Sequence, residues 1–367
     1  MTLRTATATI DLQALINNFS YIKQKAPDSK VLAVLKANAY GHGLECIAKA
    51  LSQFDHQADA FGVARLDEAL ALRTAGINKP IVLLEGFFNI EDLDVIAENN
   101  LQTIIHSQEQ LITLCTAKLE NPVKVWLKID TGMHRLGINP EEFQYYYSQL
   151  TTSKNVDSSI VLMSHLGCAD DTENKNTDKQ IALFEEVTDG LSDNKSLANS
   201  AGIDAWYSSH YQWVRPGLLL YGISPMQKIS TTQVFSHSSL VPVMTLQSSI
   251  IAVRQIDKDE PVGYGGAWKS DKRTTIGVIA IGYGDGYPRH AINGTPVLLN
   301  GRIVPLVGRV SMDMITVDLG DSSKDKVGDI ATLWGKGLPV EEVATWATTI
   351  PYELLCNISR RVQISVK

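Results

Sequence analysis

VLAVLKAN, residues 31–38, opens with five consecutive apolar positions and then stops on a lysine. An unbroken apolar run suits a strand covered on both faces, the usual condition of a parallel sheet. Seven further β-rich runs follow: AFGVAR (60–65), PIVLLEG (80–86), QTIIHS (102–107), VKVWLKID (123–130), SIVLMSHLG (159–167), SLANSAG (196–202) and VRPGLLLYG (214–222). Amphipathic stretches such as LDEALALRTAGI, EDLDVIAENN, QEQLITLCTAKL and EEFQYYYSQL lie between them. Eight strand–helix units in about 220 residues predict an α/β fold, a (β/α)8 barrel. The alternative is a doubly wound sheet, which has no need of eight units and whose Gly-x-Gly-x-x-Gly turn is missing.

Upstream, DLQALINNFSYIKQKA (11–26) is amphipathic, and Asp11 is placed to cap a helix that plugs or borders the barrel. After about residue 225 helical periodicity nearly vanishes. Runs such as MTLQSSIIAVRQI, TTIGVIAIGYGDG and SMDMITVDLG alternate with glycine turns, and Asn293-Gly294 and Asn300-Gly301 are hairpin signals. This predicts a C-terminal antiparallel β domain, a small barrel or sandwich. The expected partition is 1–228 for the barrel and 229–367 for the β domain, the first ten or so residues pairing with the latter. The break is expected in the Ser/Thr-rich ISTTQVFSHSS (229–239).

A chain of 367 residues exceeds one ordinary core, in keeping with two domains. With 44% hydrophobic and 20% charged residues it has the composition of a folded protein. A net charge of -7 gives no basic surface for nucleic acid or an anionic membrane. No apolar run is long enough to span a bilayer, and MTLRTATATIDL has no export-signal core, so a cytoplasmic location is expected. Cys46, Cys115, Cys168 and Cys356 are scattered, which predicts free thiols and no zinc site.

A barrel of this kind places its active site at the C-terminal strand ends. There the sequence puts Lys36, Arg65, His106, Lys128, Asp130, Arg135, His165, Asn199, Ser200 and Arg215, the last opening a run that ends near Tyr221. Buried charges are costly unless paired, so this concentration suggests a polar pocket, although any one of these residues also reads as a solvated loop side chain. Lys36 has two readings. At the end of a buried strand its amine can lose a proton and form a Schiff base; equally, a strand-end lysine can snorkel to the surface. A nucleotide loop fails for want of Gly-Lys-Ser/Thr. His42, His106 and His165 lack ligand spacing, so no metal is expected. Glu85 and Asp130 leave a glycosidase carboxylate pair open.

AVLKANAYGHG (33–43) closely resembles the pyridoxal phosphate (PLP) lysine segment of the alanine racemases. KIDTGMHRLG (128–137), SHLGCAD (164–170), NSAG (199–202), VRPGLLLYG, VGYGGAW (262–268), IGYGDGYPR (281–289), LVGRVSMDM (306–314) and YELLCNISRRV (352–362) resemble further segments of that family, in its order. The resemblance spans both expected domains. It implies a homodimer of barrel-plus-β-domain subunits, with PLP held covalently by Lys36. It implies phosphate binding by Tyr40, Ser200, Tyr352 and the backbone at Gly217 and Leu218, with Asn199 beside them. Arg215 would face the pyridine nitrogen, and His165 would hydrogen-bond that arginine. Arg135 and the Met312 amide would hold the substrate carboxylate. Racemisation needs acid/base groups on opposite faces of the cofactor; by resemblance these are Lys36 and Tyr264, the tyrosine coming from the partner subunit. Lys128 is the position of a carbamate that would pair with Arg135; its plain reading is a lysine paired with Asp130. Asp313 would orient loops, and Tyr283, Arg289, Arg309, Asp170 and Ile350 would line the access channel. The implied product, D-alanine, is a peptidoglycan building block. Other readings are a broad-specificity racemase of the same fold, a PLP decarboxylase and a non-catalytic PLP carrier. Two departures stand out: His134, where many relatives have glycine and which is expected to face solvent, and Trp213.

Overall fold

The computed structural model describes residues 5–53, 57–191, 194–226 and 239–367. A short strand, β1 (Thr7–Ile10), leads into helix α1 (Leu12–Lys25). The Asp11 carboxylate accepts from the Ala14 N–H at 3.0 Å, satisfying a donor that the first helical turn leaves free. Leu15, Phe19 and Ile22 recur at helical spacing and are buried. With this face α1 borders the barrel, packing on a 3-10 turn at Leu218–Tyr221. Its buried Asn18 donates to the carbonyls of Leu220 and Val241 and accepts from the Val241 N–H. One side chain thus ties the end of the barrel to the start of the second sheet.

Eight parallel strands close on themselves: β2 (Lys30–Val34), β3 (Ala60–Val63), β4 (Ile81–Leu83), β5 (Gln102–Ile105), β6 (Lys124–Lys128), β7 (Val161–Met163), β8 (Lys195–Ser196) and β9 (Trp213–Val214). Closure runs through Lys30↔Trp213 and Val31↔Val214. The helices are α2 (Lys36–Tyr40), α3 (Leu44–Gln53), α4 (Leu66–Thr74), α5 (Glu91–Glu98), α6 (Gln108–Thr116), α7 (Phe143–Thr152), α8 (Asn176–Val187) and α9 (Ser200–Ala205). The last two expected strands are cut short. SLANSAG leaves the sheet after Ser196, and Asn199 caps α9 by accepting from the Gly202 N–H at 3.0 Å. VRPGLLLYG leaves it after Val214, before Pro216, which has no N–H to give a ladder. Its LLLY segment is the fully buried 3-10 turn, and burial, not strand pairing, makes it continuously apolar.

The second sheet is built on β10 (Met244–Ile256). Two small strands, β11 (Pro261–Val262) and β12 (Trp268–Lys269), form a separate ribbon. They are followed by β13 (Thr274–Ile279), β14 (Pro296–Leu299), β15 (Arg302–Pro305), β16 (Ile315–Asp318) and β17 (Ile330–Trp334). The chain ends with helices α10 (Val340–Trp346) and α11 (Pro351–Cys356) and strand β18 (Gln363–Val366). β10 pairs antiparallel with β1, β13 and β17, while β18 lies parallel to β1. Asn300-Gly301 turns a tight hairpin between β14 and β15 with both residues at positive φ (47° and 80°), the requirement of a type I′ turn. Asn293-Gly294 joins no strand pair: it turns ahead of β14, where the Asn293 side chain accepts from the Gly308 N–H. The expected break at 229–239 lies, up to residue 238, outside the described residues. Among the described residues no helix is long and apolar enough to cross a membrane, and no cluster could hold a metal.

Candidate active site

A cavity of about 600 Å³ opens at the C-terminal ends of the barrel strands. Lys36 stands two residues past β2 and lines it. Burial and the nearby Arg135 cation push its amine below the usual lysine range. The chain then turns left-handed: Ala37, Asn38, Ala39 and Tyr40 all have φ between 52° and 55°. Left-handed residues with side chains cost roughly 1–2 kcal/mol each, so neighbours must hold the turn. The Leu35 carbonyl accepts from Ala39 N–H at 2.8 Å. The Asn38 side chain accepts from Leu44 N–H at 2.8 Å. His42, fully buried, lies 3.0 and 2.8 Å from the carbonyls of Ala39 and Tyr40 through Nδ1, which therefore carries the proton. Burial pushes its pKa down to about 4, so the ring is neutral. Gly41 follows at φ 77°, where a Cβ would stand 2.1 Å from the Leu355 carbonyl of α11.

The turn aims Tyr40 at a cradle of hydroxyls. Its ring lies 5.5 Å from that of Tyr352, which α11 brings in from the β domain. Ser200 Oγ accepts from the Gly217 N–H at 2.8 Å. A side chain at Gly217 would put Cβ 2.7 Å from Tyr40 Oη, so only glycine leaves the cradle open. Burial raises both phenols, Tyr352 to about 12, so they stay donors. Donors of this kind suit a phosphate. Leu218 also lines the cavity, and Asn199 lines it while donating to the Leu166 carbonyl at 3.1 Å.

Deeper in the barrel Arg215 is buried, with both terminal nitrogens hydrogen-bonded. It donates to Ser196 Oγ and the Ser164 carbonyl at 2.6 Å each, and to His165 Nδ1 and the Leu197 carbonyl at 3.2 Å. Burial lowers it to about 10, still protonated at neutral pH. Burial and the Arg215 charge drive His165 well below its ordinary range, so the imidazole is neutral. Because Nδ1 accepts from Arg215, the ring proton sits on Nε2. Lys128 is pushed down to about 7 by burial, then by Arg215 and Arg135. Arg135 lines the same cavity. The set offers a deprotonatable amine, a permanent cation and a hydroxyl cradle, which fits a phosphorylated aldehyde carrying a ring nitrogen.

Four named residues stand elsewhere. Tyr264 is 70% exposed on the turn between β11 and β12, Met312 is 53% exposed and Tyr283 41% exposed. Asp313 accepts from Arg361 at 2.7 Å on the same surface. None of the four lines this cavity, whereas Asp170 and Ile350 do. Arg309 sits beside Gly265, next to Tyr264, and Arg289 is exposed. His134, at φ 54°, is largely exposed but pairs its Nδ1 with Asp130 at 3.1 Å. Asp130 also accepts from the N–H groups of Gly132 and His134, so its carboxylate organises the Arg135 loop. Glu85 pairs with Arg65 at 3.6 Å, so each carboxylate of the glycosidase reading faces a basic partner. Trp213 donates to Asn194, packs edge-on to Trp126 and carries Lys30 over its ring. Sequence reading missed Ser164, Ser196 and Gln180, the last donating to the His165 carbonyl at 3.0 Å.

Comparison with known proteins agrees with this geometry. Residues 10–225 match the family model of the alanine racemase N-terminal domain, and residues 243–366 that of the C-terminal domain. The chain is 54% identical over 362 residues to an alanine racemase of Vibrio parahaemolyticus, covering 99% of each. It is 55% identical to one of Pasteurella multocida, covering 99% of this chain and 98% of the relative. The biosynthetic alanine racemase of Pseudomonas aeruginosa superposes with a TM-score of 0.94 at 40% identity, covering 100% of both chains. The Bartonella henselae alanine racemase, whose crystal structure has covalently bound pyridoxal phosphate, does so at 0.89 and 34% identity, covering 99% of both. This chain belongs to the alanine racemase family, the PLP-dependent isomerases that interconvert the enantiomers of alanine.

Proposed function

We propose that this chain interconverts L- and D-alanine as a homodimer, with Lys36 of one copy and Tyr264 of the other as the two bases. The observation that carries this reading is Lys36, an amine of lowered pKa at the mouth of a barrel whose floor holds the buried Arg215 cation. Lys36 would hold PLP, with its phosphate among Tyr40, Ser200, Tyr352 and the backbone at Gly217 and Leu218. When bound, the cofactor supplies an electron sink for the charge left at the alanine α-carbon.

The remaining steps belong to side chains. Once freed by substrate, Lys36 Nζ takes or gives the α-proton on one face. On the other face that proton goes to or from Tyr264 Oη of the second copy, a reading supported by the exposure of Tyr264 on its turn. Arg135 and the Met312 amide hold the carboxylate. Lys128, titrating near 7, suits reaction with carbon dioxide: its lone pair bonds the carbon, one proton leaves, and the anion pairs with Arg135. No feature of the cavity favours the broad-specificity reading.

The test uses holoenzyme in deuterated water. Tyr264→Phe should retain bound PLP and lose racemisation by about a thousandfold, near the upper range of general acid–base catalysis. It should still exchange the α-hydrogen of one enantiomer through Lys36. Full racemisation by Tyr264→Phe would contradict the two-base assignment.

A further inference from the structure

The segment Gly282-Tyr283-Gly284-Asp285-Gly286 folds against two other loops through its backbone. Tyr283 N–H donates to the Ser311 carbonyl at 3.0 Å and Gly284 N–H to the Met312 carbonyl at 2.9 Å. A Cβ on Gly282 would lie 2.3 Å from the Ser311 oxygen, so that approach requires glycine. On the other side Asp285 accepts through its carbonyl from Ser359 N–H, and Ser359 Oγ donates to the Gly284 carbonyl. The buried Asp285 carboxylate also accepts from Gly282 N–H at 2.9 Å.

Arg361 closes this arrangement. Its Nε lies 3.2 Å from Asp285 Oδ1 and its Nη2 2.7 Å from Asp313 Oδ1. One planar guanidinium thus bridges carboxylates on two different loops, a geometry that lysine, a single point charge, cannot reproduce. Asp313 is the neighbour of Met312, and the loops so fastened present Met312 and Tyr283 outward from the β domain.

We propose that Arg361 is a positioning residue for the active site of the other copy. By joining Asp285 to Asp313 it fixes the loop that carries Met312 and sets the affinity for the substrate carboxylate. This rests on the reading that Met312 and Tyr264 serve the partner's site. Arg361 touches no reacting atom, so its loss leaves the cofactor and both bases in place. The consequence belongs to substrate binding, not to the proton transfers.

Arg361→Gln should raise KM for L-alanine about tenfold while kcat changes less than about threefold. Bound-cofactor absorbance should stay unchanged, and Arg361→Lys should fall between. Asp313→Asn, which keeps the arginine, should shift KM the same way. The decisive experiment uses doubly tagged heterodimers. With Lys36→Ala on one chain and Arg361→Gln on the other, the one competent site receives its loops from the chain with intact Arg361, and KM should be that of the parent enzyme. With both changes on one chain beside an unaltered partner, the competent site receives the unfastened loops, and KM should rise. The reverse pattern, or an unchanged KM in the Arg361→Gln homodimer, would overturn the proposal. A Lys36→Ala chain paired with a Tyr264→Phe chain checks the underlying reading separately. If that pair regains activity while Arg361→Gln leaves KM unmoved, only the Arg361 assignment fails. If the pair stays dead, the shared-site reading fails with it.

Discussion

Arg215 keeps its charge in the barrel interior because acceptors surround it: Ser196 Oγ, two backbone carbonyls and the lone pair of neutral His165. If Arg215 faces the cofactor nitrogen as proposed, a permanent cation there could not take a proton and would leave that nitrogen unprotonated. Arg215→Glu would place a protonatable carboxyl there instead, and we predict faster stray transamination, read as pyruvate formed per D-alanine. An unchanged ratio would show that Arg215 has no such role. Gly217→Ala tests the cradle. Its Cβ would stand 2.7 Å from Tyr40 Oη, and overpacking of that size costs about 1–3 kcal/mol, so PLP affinity should fall by roughly tenfold or more. PLP binding at parent strength would mean that the phosphate lies elsewhere. At this scale the sequence was partly legible. Lys36 alone could not be told from a snorkelling lysine; only the surrounding segments favoured the Schiff-base reading. Ser164, Ser196 and Gln180 carried no signal, because an uncharged polar side chain in a strand or helix looks the same whether it braces a cation or fills space.

Between strand β2 and helix α3 the chain makes its strained left-handed turn, and His42 rivets it. The folded pKa of His42 is pushed down by burial to about 4, against an ordinary 6.5. The unfolded chain therefore binds more protons between those values, and the stability from the neutral ring is present above pH 6.5 and lost as pH falls towards 4. The loss over that window is roughly 3 kcal/mol. His42→Phe keeps an aromatic ring to stack on Tyr221 but cannot titrate, so its melting temperature should vary less across that window than the parent's. Equal slopes would show that His42 is not the titrating rivet. The turn was invisible in sequence: Ala, Asn, Ala and Tyr give no hint of positive φ, which tertiary contacts impose. Local signals told true elsewhere. Asp11 caps α1, and Asn300-Gly301 makes its hairpin, whereas the similar Asn293-Gly294 has no preceding strand to pair. The eighth apolar run does supply a strand at Val214 but was read as too long, since strand and buried 3-10 turn have the same composition.

Taken whole, the chain gathers Lys36, Arg135 and Arg215 around one cavity and leaves Tyr264 and Met312 exposed outside it. The barrel was legible because eight buried strands repeat, and the sheet because its turns are marked by glycine. The exposure of Tyr264 and Met312 was not, because no local pattern says whether an apolar side chain is buried in its own chain or left at the surface. If the site is shared, activity should fall on dilution below the dimer dissociation constant and return on reconcentration, as followed by sedimentation and coupled oxidase assay together. Undiminished activity of the monomer would contradict sharing. Two amines of lowered pKa line the same cavity, Lys36 and Lys128, and the whole account depends on which of them holds the cofactor. Reduction of the holoenzyme with borohydride followed by peptide mapping decides it: a pyridoxyl group on Lys36 is predicted, and one on Lys128, or on no lysine, would contradict the account.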